Sequence, residues 1–139
     1  MNPLGEHERT AIREVFTDLE KNVPILLELG PEQEPVTVLA GGREIDFGDE
    51  TKTLLEQLAE LSDRIDLTVT ETDLPGQWPK TTVAGALVYR GLPWGYELTA
   101  IVGAIVEAGR TASSLTPASL ETLASLERDV ALEVYVTPT

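Results

Sequence analysis

Cysteine is absent from all 139 residues. That excludes a disulfide framework, a cysteine nucleophile and a thiolate metal site within the chain. Histidine is almost absent: His7 stands alone in a polar N-terminal stretch, and one imidazole makes neither a metal centre nor a triad. No metal site is expected, and no cofactor. Neither G-x-x-x-x-G-K-[ST] nor G-x-G-x-x-G occurs, so Gly41-Gly42 reads as a turn rather than a phosphate cradle. Positive charge is scarce, with 10 basic against 24 acidic side chains and a net charge of −14. Nucleic-acid backbones and anionic membranes would repel such a chain and are not expected partners. No apolar stretch is long enough to span a bilayer; the longest, residues 98–109, contains Glu107. Met1 is followed at once by polar residues, without the apolar core of a signal peptide, so a cytoplasmic location is expected.

The acidity is uneven. Residues 1–73 hold 18 acidic and 6 basic side chains, net −12, whereas residues 74–139 hold 6 and 4, net −2. One reading is a solvated acidic face that keeps the protein dissolved. The other is that the near-neutral second half contacts something else. Carboxylate pairs are easily drawn in such a chain, but none has a nucleophile, a basic clamp or an aromatic sugar platform beside it, which discounts glycoside chemistry. Asp46, Asp49 and Glu50 cluster without the alternating spacing of a calcium loop and read as a solvated face.

With 42% hydrophobic residues the chain can bury a sizeable core. Ile12, Val15, Phe16 and Leu19 recur at helical spacing and predict a helix over residues 5–21. PILLEL, residues 24–29, is a short apolar run closed by Gly30-Pro31 and reads as a buried strand. VTVLA, Gly41-Gly42 and REIDFG suggest a small hairpin or an irregular insertion over residues 31–48. A helix over residues 49–62 follows, with Asp49 as its N-cap and Leu54, Leu55, Leu58 and Leu61 as its stripe. IDLTVTE alternates as a strand, TDLPGQWP is a loop, and TTVAG with ALVYR forms a hairpin around Gly85. Residues 96–109 make a helix apolar nearly all round, which predicts cover on both sides. Thr116-Pro117 is a cap and first-turn pair for a helix to about residue 128. ALEVYV then alternates as a last strand before Thr137-Pro138-Thr139. This order predicts an α/β protein with a mixed central sheet flanked by helices. KNVPILLELGP and RDVALEVYVTP are alike over about ten residues, a weak internal repeat that makes the chain's end look like its beginning.

The segment WPKTTVAGALVYRGLPWGYELTAIVGAIVEAGR, with VALEVYVTPT after it, resembles one family. These are the tandem thioredoxin-fold protein disulfide oxidoreductases of the glutaredoxin-like kind, related to the N-terminal domain of the alkyl hydroperoxide reductase flavoprotein. The most specific pieces are the G-L-P-x-G-Y/H-E run of residues 91–97 and the terminal V-x-V-T-P-T. The resemblance implies a thioredoxin-like unit over residues 1–112, with the insertion near 31–48. Residues 113–139 would be the first helix and strand of a second, incomplete unit. In that family V-T-P-T is followed by C-P-Y-C, so this chain is expected to stop just before a catalytic cysteine. A selenocysteine codon there is a further alternative.

The resemblance also implies a cis Trp78–Pro79 bond beside the redox motif. Ile45, Asp46, Phe47 and Gly48 fall where some members carry C-x-x-C, and no thiol is there to attack a disulfide. The unit is therefore expected to be catalytically silent. Trp78, Pro79, Lys80 and Trp94 are the candidates to face a substrate or partner; packing against the helices is the other reading of both tryptophans. Two functions remain open. The chain could be the redox-inactive scaffold or substrate-facing half of a thiol–disulfide oxidoreductase, its partners a protein thiol or disulfide and a following thioredoxin-like unit. Alternatively it could be a stand-alone protein-binding module, dimerising through its last strand, since an uncovered alternating strand invites pairing.

Overall fold

The computed structural model describes residues 4–31, 36–37 and 44–136. The turn expected at Gly41-Gly42 and the terminal T-P-T lie outside these residues. Helix α1 (Glu6–Phe16) opens where the Glu8 carboxylate accepts the Gly5 N–H at 2.7 Å. It ends earlier than its periodicity suggests. The turn after it is held elsewhere, by Glu20 and Lys21 N–H groups donating to the Gly109 carbonyl at 2.8 and 3.1 Å. Strand β1 (Val23–Leu29) follows. Then come β2 (Val36–Thr37) and β3 (Glu44–Ile45), a two-residue antiparallel pair within the expected insertion.

Helix α2 (Phe47–Ala59) starts earlier than expected. Its cap is Asp46, not Asp49: Asp46 is extended and its Oδ1 accepts the Asp49 N–H at 3.0 Å, satisfying one of the orphan donors of the first turn. Strand β4 (Ile65–Glu71) runs parallel to β1, with Leu29 opposite Glu71. Strands β5 (Lys80–Val83) and β6 (Leu87–Arg90) form the expected hairpin. Its turn holds Ala84 at φ 50 and Gly85 at φ 69, and two positive φ values are what a tight hairpin turn between twisted strands needs. Helix α3 (Tyr96–Ala108) completes the packed body.

The sheet order is β4-β1-β5-β6, with β1–β4 parallel and the other pairs antiparallel. Alternation sorts its two faces. Val23, Ile25 and Leu27 of β1, Ile65 of β4 and Val83 of β5 point into one core with Phe16 of α1, Leu54, Leu55 and Leu58 of α2, and Ile101 and Ile105 of α3. The described helices that pack on the sheet therefore share one of its faces. Opposite lie Leu26, Glu28, Asp66, Thr68, Thr70, Lys80, Thr82, Val88 and Arg90, exposed or half-buried. On that face Lys80 Nζ reaches Glu28 Oε2 at 2.9 Å, the pair being direct cross-strand neighbours. Leu4, ahead of α1, is fully buried in the same core, and its N–H donates to Gln57 Oε1 at 3.3 Å.

Two expectations about the second half need correction. Helix α3 is buried on one side, at Ile101 and Ile105; Val102 and Val106 are half-buried and Gly103 is exposed. Its all-round apolarity finds cover only on the side that meets the sheet and α1. Helix α4 (Pro117–Ala124) starts as expected, with Thr116 accepting the Ser119 N–H at 3.2 Å and Pro117 in the first turn, but ends four residues early. Residues 130–136 belong to no helix or strand, and Leu132, Val134 and Tyr135 are 82–90% exposed. An alternating sequence becomes a strand only when a neighbour takes its N–H and C=O groups. No described strand of this chain does so.

Candidate functional site

Parallel strands β1 and β4 end side by side, and α2 begins above them. Their carboxyl ends are where open α/β sheets leave room for ligands. A cleft of about 390 Å³ lies there. Leu29, Gly30 and Pro31 leave β1 on one side, and Glu71, Thr72 and Asp73 leave β4 on another. Ile45, Asp46, Phe47, Gly48 and Asp49 bring the start of α2, and Trp78 and Pro79 close the cleft. The Thr72 N–H donates to the Leu29 carbonyl at 2.9 Å and ties the two strand exits together.

The Trp78–Pro79 peptide bond is cis, as the resemblance implies. Pro79 is buried, and its carbonyl accepts the Gly91 N–H at 2.8 Å. Trp78 is half-buried, and its Nε1 donates to the Leu74 carbonyl at 2.8 Å. Its side chain lies over Gly30, where any Cβ would overlap Cδ1 and Cγ, and a Cβ on Gly76 would come to 3.2 Å of the six-membered ring. Two glycines thus make room for one tryptophan. The N–H and C=O of Trp78 enter no backbone hydrogen bond among the described residues.

Ile45, Asp46, Phe47 and Gly48 lie at the start of α2 and line the same cleft as Pro79. Ile45 is buried, Asp46 caps the helix, and Phe47 and Gly48 are half-buried. None can attack sulfur, so these four positions cannot exchange a disulfide. Asp46, Asp49, Glu71 and Asp73 stand at its edge, and its described lining includes no lysine, arginine or histidine. No described group of three or more acidic or histidine side chains is placed to hold a metal ion.

The other two partner-facing candidates lie elsewhere. Lys80 points to the opposite sheet face and pairs with Glu28. Trp94 packs half-buried against the core, with its Nε1 unbonded among the described residues. Thr81 Oγ1 and Glu97 Oε2 are likewise buried without a partner among them. Burial, with the Glu97 charge second, pushes the Tyr89 phenol above its ordinary value. Sequence reasoning missed Gly30, Glu71, Asp73 and Glu97. The signal available for the first three was their place just beyond two apolar strands that could be parallel. Glu97 closes the G-L-P-x-G-Y/H-E run of residues 91–97, and that run was its signal.

No family model matches the chain, and neither does any curated protein. Solved structures do. The alkylhydroperoxide reductase component AhpF from Enterococcus faecalis superposes with a TM-score of 0.71 at 19% identity, covering 89% of this chain and 61% of that one. The NTD_N/C domain of the same reductase gives 0.71 at 19%, covering 90% and 62%. A protein disulfide oxidoreductase from Aeropyrum pernix gives 0.72 at 20%, covering 88% and 55%. The chain therefore spans less than two thirds of each of these neighbours. Among its described residues no helix is long and apolar enough to cross a membrane. Topology and these superpositions together establish a mixed α/β protein of thioredoxin-like fold, the fold of the AhpF N-terminal domain and of the disulfide oxidoreductase.

Proposed function

We propose that this chain is the redox-inactive, partner-facing portion of a thiol–disulfide oxidoreductase. The observation that carries the reading is the cleft itself: cis Pro79 faces the start of α2, and the positions there are Ile45, Asp46, Phe47 and Gly48 instead of cysteines. The fold's binding surface is kept without its nucleophile. The backbone of Trp78, unbonded among the described residues, offers an N–H and a C=O to an extended segment, the hydrogen-bonding mode by which peptides add to sheet edges. Chemistry would come from a following thioredoxin-like unit bearing C-P-Y-C, or selenocysteine in the first position.

Helix α4 and residues 130–136 support that extension. Leu120, Leu123, Leu126, Leu132 and Val134 are all at least 42% exposed, a stripe and an alternation that need a partner to become core. Both read as the first helix and strand of the second unit. The same apolar surface suits the alternative, a stand-alone module that covers it in a homodimer.

The coding DNA beyond Thr139 tests the reading. An in-frame cysteine or TGA codon followed by Pro-Tyr-Cys supports it. A stop followed by unrelated sequence refutes it and turns attention to the dimer, which a solution mass would then show. The chain alone is expected to reduce no insulin disulfide above the dithiothreitol background; catalysed reduction by pure protein would overturn the claim of redox inactivity.

A further inference from the structure

We infer that the Pro79 cleft selects a partner segment carrying a positively charged side chain, a lysine or arginine set in an extended stretch of protein. The inference rests on the reading of the cleft as partner-facing and adds the chemistry of the partner. Three observations carry it. The cleft, at about 390 Å³, falls within the size range of small-ligand sites. Its floor and walls include Leu29, Phe47, Pro79 and Trp78, which suit the methylene stem of a long cationic side chain. Its edge carries Asp46, Asp49, Glu71 and Asp73, and none of these four is ion-paired with another described residue.

One feature opposes this charge. The N-terminus of α2 points at the cleft and is worth about half a positive charge, which by itself would favour an anion. The carboxylates outweigh it. Asp46 already takes one of the free N–H groups of that helix end as its cap, Asp49 sits in the first turn, and Glu71 and Asp73 add two full charges from across the cleft. The charges on the described lining of the cleft sum to negative, and a field focuses in a concave site more than on an open surface. Trp78 adds a ring on which a guanidinium or ammonium can rest.

The test uses the full chain and three blocked pentapeptides, Gly-Ser-X-Ser-Gly, with X arginine, glutamine or glutamate. Backbone amide shifts of Gly48, Thr72 and Trp78 and the Trp78 indole signal report binding at the cleft. The arginine peptide is expected to bind about fivefold tighter than the glutamine peptide and the glutamate peptide most weakly, the gap closing at roughly 0.5 M salt as the charges are screened. The double variant Glu71→Gln, Asp73→Asn leaves the cap of α2 intact. It should shrink the arginine preference several-fold while the amide spectrum shows an unchanged fold. Equal affinities for the three peptides, with shifts at the cleft, would overturn charge selection and leave the partner-facing reading standing. Absence of cleft shifts with any peptide at millimolar concentration would overturn both.

Discussion

Gly30 and Trp78 show how little room single residues have near the cleft. The space a methyl group would take at Gly30 is already filled by the Trp78 side chain. Gly30→Ala should push Trp78 off its Leu74 hydrogen bond and cost about 1–3 kcal/mol, the usual penalty for overpacking. Urea unfolding measures the cost, and a red shift of tryptophan emission reports the displaced ring. An unchanged midpoint and spectrum would mean that the ring is not packed on Gly30. Glu107 offers a second residue-level test. Its Oε1 accepts the Ser114 N–H at 2.9 Å, and that bond, ahead of the nearby Arg110 charge, lowers its carboxyl below the ordinary value. A depressed carboxyl stabilises the folded linker above its unfolded value, and the contribution is lost as pH falls through the folded one. The Ser114 amide shift should therefore titrate with a midpoint below that of an ordinary glutamate, and Glu107→Gln should abolish the titration.

Among the elements, α2 decides the character of the site, because its first turn lines the cleft together with Pro79. Asp46 fixes that turn. Asp46→Ala removes the acceptor for the Asp49 N–H and should cost about 1 kcal/mol, whereas Asp49→Ala should cost less, since Asp49 lies inside the helix and its side chain caps nothing. Equal losses in chemical denaturation would contradict the assignment of the cap. The hairpin of β5 and β6 behaves differently. Its local sequence is enough to place the turn, because Gly85 accepts a positive φ freely beside Ala84 at φ 50. The parallel pairing of β1 with β4 has no such local source. It depends on α2 crossing between them and burying Leu54, Leu55 and Leu58 on the sheet.

At the scale of the molecule, the packed body and the C-terminal segment differ sharply. The core draws on α1, α2, α3 and one face of the sheet, and no residue of α4 is buried. Removing residues 117–139 should therefore change the unfolding free energy by less than about 0.5 kcal/mol, as for surface changes away from packing. A thermal or urea transition of the shortened chain checks this. A loss of several kcal/mol would show that α4 packs on the body in solution. The truncation should also lower self-association if residues 120–136 form the surface through which copies meet.

Periodicity and composition alone determined the elements of the packed body, the hairpin turn, the Thr116-Pro117 helix start and the absence of thiol chemistry. Each follows from neighbours in the chain: the spacing of Leu54, Leu55 and Leu58, the alternation of Ile65, Leu67 and Val69, the glycine at 85, the missing cysteine. The resemblance added Pro79 and the four positions from Ile45 to Gly48. Only the tertiary structure decided that these two stretches face one another, that Gly30 and Gly76 clear a place for Trp78, and that Lys80 turns to the opposite sheet face while Trp94 joins the core. It also decided that Asp46 rather than Asp49 caps α2 and that residues 130–136 find no ladder. The physical reason is the same in each case. A side chain's neighbours across a cleft or a sheet are set by the packing of distant segments, and a strand pattern states only which face is apolar, not what will pair with its backbone.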